Sequence, residues 1–300
     1  MNLSDYLIAN EETLRLAFFG GIIAVMLLWE LISPRRKLSQ PRVVRWGSNI
    51  AIVVLNSAVI RWLFPFVAIG VAVFAAEHGW GLLHYTDWPL WLEVIIAVMF
   101  LDFMIYLQHV MVHAVPLLWR IHRVHHADLD YDFTTGSRFH PFEIMLSLVI
   151  KFAVILVLGP PVLAVVLFEI ILNVSSMFNH GNVRIASGID KYLRWLIVTP
   201  DMHRVHHSSE ADETNTNFGF FLPWWDRLLG TYRDQPRKTH EAMQIGLRKH
   251  RDPKEVVWLH GMLLLPFKPN DSDYSIDKRA WSGASDAPDI DTATEDKTSE

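Results

Sequence analysis

Histidines are the residues most able to do chemistry in this sequence, with fifteen in 300 residues and no cysteine. They concentrate in one His-x3-His pair and two His-x2-His-His triplets: His109 and His113; His122, His125 and His126; His203, His206 and His207. Residues three and four apart share a helix face, so each cluster is expected to present its imidazoles together. At one histidine in twenty, chance gives about 0.04 such triplets in a chain of this length. Neutral imidazole binds iron, zinc, copper and nickel, so the pattern predicts a metal site, and several clusters in one place suit more than one ion.

Two stripes of polar residues at helical spacing extend this prediction. They are Asp102, Tyr106, His109 and His113, and Glu169, Asn173, Ser176 and His180. Polar side chains in membrane helices are costly and usually face a bundle interior, so both stripes are expected to line one site, with His180 as a ligand. Asp102 and Glu169 are candidates to orient ligand imidazoles by accepting hydrogen bonds, with Tyr106 and Asn173 on the same faces. The alternative for these polar residues is interhelical packing alone.

The remaining histidines divide into one open case and five isolated residues. His140, in Arg138-Phe-His140-Pro-x-Glu143, is either a ligand or a helix-entry residue. We expect no role in the metal site for His78, His84, His240, His250 and His260.

The elements that must position these histidines are predicted to be membrane helices. Hydrophobic residues make up 51% of the chain, and the mean hydropathy is positive, which indicates several spans. Apolar runs cover about 14–32, 50–76, 89–107 and 142–178, and each is close to or above the roughly 20 residues that cross a bilayer. The second is either one tilted helix or a span with an interfacial extension. Gly159-Pro160-Pro161 interrupts the last, which predicts a hairpin of two short helices. The fold expected is an all-α membrane bundle with four to five spans.

The basic stretch at 34–46 gives an orientation. Basic loops stay cytoplasmic, which places the N-terminus outside and all the histidine clusters and the C-terminus in the cytoplasm. The polar, acidic N-terminal segment does not resemble a cleavable signal peptide. The net charge of -5 is mild, and nothing indicates a nucleic-acid partner. Basic residues on the cytoplasmic face are candidates to dock an acidic partner: Arg120, Arg123, Arg138, Arg194 and Arg204.

The chain is predicted to have four parts. Residues 1–88 would hold the first spans and an outer loop, 89–235 the catalytic core, and 236–269 a cytosolic C-terminal segment. From about residue 270 the chain is polar, acidic and aperiodic, which is typical of a disordered tail.

The motifs resemble those of the fatty acid hydroxylase and sterol desaturase superfamily over roughly Asp102 to Tyr232. The resemblance rests on YLQHVMVHAVPLLWRIHRVHH, DFTTGSRFHPFE, FNHGNV, TPDMHRVHH and NFGFFLPWWDRLLGT. It implies a membrane-embedded diiron oxidase with a cytosolic helical cap. By motif match, it implies nine ligands: His109, His113, His122, His125, His126, His180, His203, His206 and His207. The sequence departs from some members, which carry two histidines in the region where this chain has only His180, with Ser176 four residues earlier.

The implied reaction is O2-dependent oxidation of a C–H bond in a membrane lipid, such as a fatty acyl, sterol-like or ether lipid. Two iron ions would activate O2, with hydroxylation favoured slightly over desaturation. No iron–sulfur, dinucleotide or haem motif is evident, so a separate reductase, ferredoxin or cytochrome would supply electrons. The alternatives are a zinc-dependent membrane hydrolase and a metal-handling membrane protein. The first lacks a His-Glu-x-x-His motif, and the clustering at one face argues against the second. Zinc is also an expected adventitious occupant, because it outcompetes ferrous iron at most nitrogen sites.

Overall fold

The computed structural model describes residues 3–64 and 67–269. The predicted disordered tail from residue 270 lies outside these ranges. Within them the chain is helical and has no strand, only the isolated bridges Pro34–Val183 and Ser208–Ile245. The all-α prediction is therefore confirmed for the part of the chain that the structure describes.

The described residues form fourteen α-helices, of which five have eighteen or more residues. In chain order the helices are α1 (Leu3–Ala9), α2 (Glu11–Ile32), α3 (Arg42–Leu63), α4 (Ala68–His78), α5 (Leu90–Ala114), α6 (Pro116–His126), α7 (Pro141–Leu158), α8 (Val162–Asn179), α9 (Ser187–Leu193), α10 (Pro200–His206), α11 (Ala211–Thr214), α12 (Trp224–Leu229), α13 (Pro253–Val256) and α14 (Leu259–Leu264). Three 3₁₀ turns cover Leu82–Tyr85, Phe133–Ser137 and Leu265–Phe267.

Five segments of the described chain are long and apolar enough to cross a membrane, as the sequence predicts. They are α2, the stretch from α3 through α4, α5, α7 and α8. The second apolar run is not one tilted helix, because it divides into α3 and the shorter α4. The chain is a multi-pass membrane protein of helical architecture.

The predicted hairpin is formed by α7 and α8, each eighteen residues long. Gly159 ends α7 with φ 62°, a left-handed conformation that glycine adopts without strain. A Cβ on Gly159 would lie 2.4 Å from the carbonyl oxygen of Trp80, so the turn also needs the absence of a side chain. Proline 160 and Pro161 then prevent α7 from continuing, and α8 returns towards the histidines.

Proline also sets the break between the membrane helix α5 and the polar helix α6. The span is longer than the apolar run, since α5 continues to Ala114 and carries His109 and His113 in its last turns. Pro116 lacks a backbone N–H and restricts Val115 to an extended conformation, so one helix ends and another begins. The chain turns here and brings α6 back over the end of α5.

The residues outside the five membrane-spanning candidates, here called the polar region, pack on α6 and on the segment that follows it. Trp119, Val124 and Leu129 share an apolar core with the C-terminal residues Leu247 and Met262. In the segment after α6, Asp128 and Asp132 accept hydrogen bonds from the buried Arg45 of α3, at 2.6 to 2.9 Å. Such a buried ion pair is costly to break by removing one partner. The segment after α6 is thereby fixed to a membrane helix.

The arginines predicted to form a basic docking face are mostly buried and bonded within the protein, so they do not form an exposed surface. Arg123, Arg138 and Arg204 are fully buried and Arg194 is 4% exposed. Arg123 and Arg138 donate to backbone carbonyls, and Arg194 and Arg204 pair with Asp190 and Asp201. Arg120 donates to the carbonyl oxygens of Pro266 and Lys268. These guanidinium groups stabilise the polar region internally, because carbonyls exposed at helix ends need donors.

Candidate metal centre

Nine buried histidines converge where α5, α6, α8 and α10 meet. They form two groups, and within each group one ligand atom per residue lies within 4.8 Å of the others. The five-histidine group is His109, His113, His122, His126 and His206, and the four-histidine group is His125, His180, His203 and His207. These are the nine histidines that the motifs select.

Each His-x2-His-His triplet divides between the two groups, which differs from the expectation that each cluster acts as a unit. At about 100° per residue, His122 and His126 lie about 40° apart around α6, while His125 and His126 lie about 100° apart. His122 and His126 therefore face the five-histidine group and His125 faces the other. On α10 the assignment is reversed, because His203 and His207 join the four-histidine group and His206 the five-histidine group.

His180, at the end of α8, is the common neighbour in the four-histidine group. Its Nε2 lies 3.1 Å from the Nε2 of His125 and 3.2 Å from the Nε2 atoms of His203 and His207. Its Nδ1 lies 2.7 Å from the carbonyl oxygen of Ser176, which only accepts, so Nδ1 carries the proton and Nε2 has one lone pair. Three neighbours cannot all donate to one lone pair, so hydrogen bonding alone does not account for the arrangement.

The five-histidine group has the same kind of nitrogen geometry. The Nε2 of His126 lies 3.1 Å from that of His113 and 3.2 Å from that of His122. The Nε2 atoms of His109 and His206 are buried and have no hydrogen-bond partner. Buried nitrogens without partners are costly, so each needs a ligand that the protein itself does not supply.

Both groups fit a metal ion. An ion about 2.1 Å from two imidazole nitrogens separates those nitrogens by about 3.0 Å at octahedral angles and about 3.4 Å at tetrahedral angles. The observed 3.1 and 3.2 Å lie between these values. Imidazole nitrogen suits iron as well as zinc, so the donor atoms alone do not select the metal.

The outer nitrogens of four imidazoles in the five-histidine group are held by oxygen acceptors. Nδ1 of His122 lies 2.6 Å from the carboxylate of Glu143, and Nδ1 of His113 lies 3.2 Å from Oδ1 of Asn215. The Nδ1 atoms of His109 and His206 lie 2.8 and 2.7 Å from the carbonyl oxygens of Phe218 and Thr216. Such partners fix the tautomer and direct Nε2 inward.

Sequence reasoning did not identify these acceptors. Glu143 lies three residues after His140, at the start of α7. The motif around it indicated that this region is near the site, but it did not predict the contact between Glu143 and His122. Asn215, Thr216 and Phe218 lie in a loop without a spacing pattern, and their contacts depend on tertiary structure.

Both polar stripes end in candidate ligand histidines, but Asp102 and Glu169 do not accept hydrogen bonds from imidazoles as expected. Asp102 accepts hydrogen bonds from Phe221 N, Leu222 N and Trp225 Nε1, and Glu169 pairs with Lys151 at 2.6 Å. Tyr106 is hydrogen bonded to Thr231, and Asn173 donates to the carbonyl of Glu169. Asp102 and Tyr106 thus attach α5 to the segment that carries the acceptors for His109 and His206. They contact that segment rather than the imidazoles.

His140 lies outside both groups, at the N-cap of α7. Its Nδ1 accepts a hydrogen bond from Phe142 N at 3.2 Å, which satisfies one of the free donors of a helix start. Of the two roles considered for His140, ligand and helix-entry residue, this contact corresponds to the second.

Six of the nine imidazoles, all outside the spans, are held in their neutral form by burial. Burial lowers the pKa of His180 and His206 to about 3. Burial, followed by the neighbouring imidazoles, also lowers the pKa of His125, His126, His203 and His207 well below its ordinary value. Neutral imidazole is the form that binds metal.

A membrane helical bundle with a buried polyhistidine centre defines the class of protein. Residues 94–231 match the model of the fatty acid hydroxylase family. This match confirms the resemblance seen in the sequence and covers just under half of the chain.

Among curated proteins, the chain is 29% identical to ornithine lipid hydroxylase OlsE of Rhizobium tropici over 72% of this chain and 66% of that protein. It is 26% identical to alkylglycerol monooxygenase of Xenopus tropicalis over 71% of this chain and 46% of that protein. It is also 26% identical to fatty acid hydroxylase vlmA of Lecanicillium over 64% of this chain and 58% of that protein. The chain thus spans less than two thirds of the length of these relatives. No solved structure matches the chain. Two of these relatives are named as hydroxylases and one as a monooxygenase.

Proposed function

We propose that this chain is a diiron, O2-dependent membrane oxidoreductase that hydroxylates the hydrocarbon part of a membrane lipid. The observation that carries the proposal is the convergence of nine buried histidines into two groups, each spaced for one ion. His109, His113, His122, His126 and His206 would hold one iron, and His125, His180, His203 and His207 the other. Iron bound there would supply O2 activation and the oxidising power to take hydrogen from an unactivated C–H bond.

The residues of the chain orient the ligands and exclude water. Glu143, Asn215 and the carbonyls of Thr216 and Phe218 keep Nδ1 protonated, so that Nε2 is available to an ion. The nine imidazoles are buried, which keeps bulk water from the reaction. Electrons would come from a separate reductase, ferredoxin or cytochrome, as the sequence predicts.

The relatives favour hydroxylation of a lipid over desaturation. Ornithine lipid hydroxylase, alkylglycerol monooxygenase and fatty acid hydroxylase are names of oxygen-inserting enzymes. For orientation, we propose that the metal centre and C-terminus are cytoplasmic and that the N-terminus is outside, because the basic 34–46 segment follows the positive-inside rule. A zinc hydrolase is disfavoured, since such an enzyme needs three protein ligands and one water rather than nine histidines.

The test is lipid mass spectrometry on cells that express the chain, its His206→Ala variant or its His260→Ala variant. His260 is an exposed histidine outside both groups, so it provides a matched control. We expect one lipid to gain an oxygen atom with the wild type and with His260→Ala, and not with His206→Ala. Growth under isotopically labelled O2 should place the label in that lipid. Loss of two hydrogens instead would indicate desaturation, and an unchanged product with His206→Ala would contradict the metal centre.

A further inference from the structure

A basic groove lies between the end of α2 and the start of α3. It has a volume of about 980 Å³ and is lined chiefly by Arg35, Arg36, Lys37, Arg42, Arg184 and Glu241. Because α2 and the α3–α4 stretch are both membrane-spanning candidates, the loop that joins them lies at a membrane boundary. The groove therefore lies at the depth where lipid headgroups meet water.

Three of its five cations already contact other groups of the protein. Arg35 pairs with Asp201 and Glu241, and Arg36 donates to the carbonyls of His240 and Met243. Arg184 is 3.5 Å from Glu241. These contacts tie the groove to the polar region.

Lys37 and Arg42 differ from those cations. Neither forms a salt bridge with a carboxylate within residues 3–64 and 67–269, and the Nε of Arg42 is buried without a hydrogen-bond partner. The neighbouring Asp130 is occupied, since it accepts from the backbone of Ser39 and Gln40. Two cationic side chains thus remain available to an anion in the groove.

The N-terminus of α3 adds to this preference for anions. The helix has 22 residues, begins at Arg42 and follows Pro41, with no side-chain cap and no acidic residue in its first turn. Free backbone N–H groups and the helix dipole favour an anion at such an end. Arg42 places its own positive charge at the same position.

Exposed apolar side chains flank the groove on the membrane side. Ile32, the last residue of α2, is 73% exposed, and Val43, in the first turn of α3, is 84% exposed. A free anion would make no use of them, whereas the acyl chains of a lipid would cover both. We propose that the groove binds the headgroup phosphate of an anionic membrane phospholipid, with its acyl chains against α2 and α3. The site lies apart from the histidine groups and does not depend on their metal.

The experiment measures the association of spin-labelled phosphatidylglycerol with the full-length protein in phosphatidylcholine nanodiscs. The variants are Lys37→Gln, the double variant Lys37→Gln/Arg42→Gln, and the control Lys191→Gln/Lys254→Gln, which removes two exposed charges elsewhere. One cation at a membrane surface changes association about fivefold. We therefore expect the preference for phosphatidylglycerol over phosphatidylcholine to fall about fivefold in the single and about twentyfold in the double variant. The control should stay within about twofold of wild type.

Three results would overturn the proposal. They are an equal fall in the control, which would indicate an effect of overall charge; an unchanged preference in the double variant; and full competition by inorganic phosphate, which would indicate a site for free anions. The single Lys37→Gln variant at an exposed loop position reports on the site even if the double variant does not fold. Because the readout is lipid association and involves no oxidation, failure here is distinguishable from failure of the proposed oxidation.

Discussion

The two histidine groups use the same side chain but position it by different means. In the five-histidine group, four imidazoles have an oxygen acceptor for the outer nitrogen. In the four-histidine group only His180 has one, and the Nδ1 atoms of His125, His203 and His207 are buried without a partner. The first group is therefore oriented before a metal binds.

The second group relies on ring contacts and on its central residue. Phe139 stacks on His125 at 4.5 Å between ring centroids, with 11° between the planes. Tyr131 contacts His180 at 5.6 Å and His207 at 5.1 Å. Ring contacts restrict position but do not fix a tautomer, so the four-histidine group depends more on its ion. We expect its ion to be the first one lost on chelation.

The largest effect is expected from His180→Ala. The variant removes the nitrogen that three others surround, so the four-histidine group should lose its ion while the five-histidine group retains one. Elemental analysis should show the bound iron reduced by about half, and lipid hydroxylation should be lost. The matched variant His260→Ala should keep the full iron content. Complete loss of iron in His180→Ala would show that the two groups do not bind ions separately.

Glu143→Gln tests the five-histidine group in the same way. The substitution keeps an acceptor near His122 but removes the charge, and changes of this kind lower metal affinity or activity about 10- to 100-fold. The effect should fall on the five-histidine group, and a chelator titration followed by iron release should then show this group losing its ion first. Asn215→Ala is the comparison, because a neutral hydrogen bond contributes about 1 kcal/mol and its loss should have a smaller effect. Equal effects of the two substitutions would contradict a special role for the carboxylate.

Much of this arrangement could be predicted from the sequence. The parts that could not be predicted depend on contacts between segments that are far apart in the chain. Spacing identified the nine histidines, the long spans and the α7–α8 hairpin, because helical periodicity and proline act locally. The division of each triplet was open to the same argument, since 100° per residue separates His125 from His126. The acceptors in 215–218, the burial of Arg123 and Arg138, and the partners of Asp102 depend on contacts between distant segments, which no local pattern encodes.

The smallest effect is expected from Phe139→Leu. The variant removes a stacked aromatic contact worth about 1 kcal/mol, so iron in the four-histidine group should dissociate about fivefold faster. Stopped-flow chelation measures this rate, and iron in the five-histidine group should be unaffected. Phe267→Leu, at a ring that is 64% exposed, is the control. A uniform change in both phases would show that Phe139 acts on overall stability rather than on His125.

The most direct test of the central claim is Mössbauer spectroscopy of the full-length protein loaded anaerobically with iron-57 in nanodiscs. Two histidine groups that share α6 and α10 should hold two iron ions per chain, seen as iron signals that account for two ions. A spectrum that accounts for one iron per chain, or iron that remains bound when His180 and His206 are both replaced by Ala, would contradict the diiron centre.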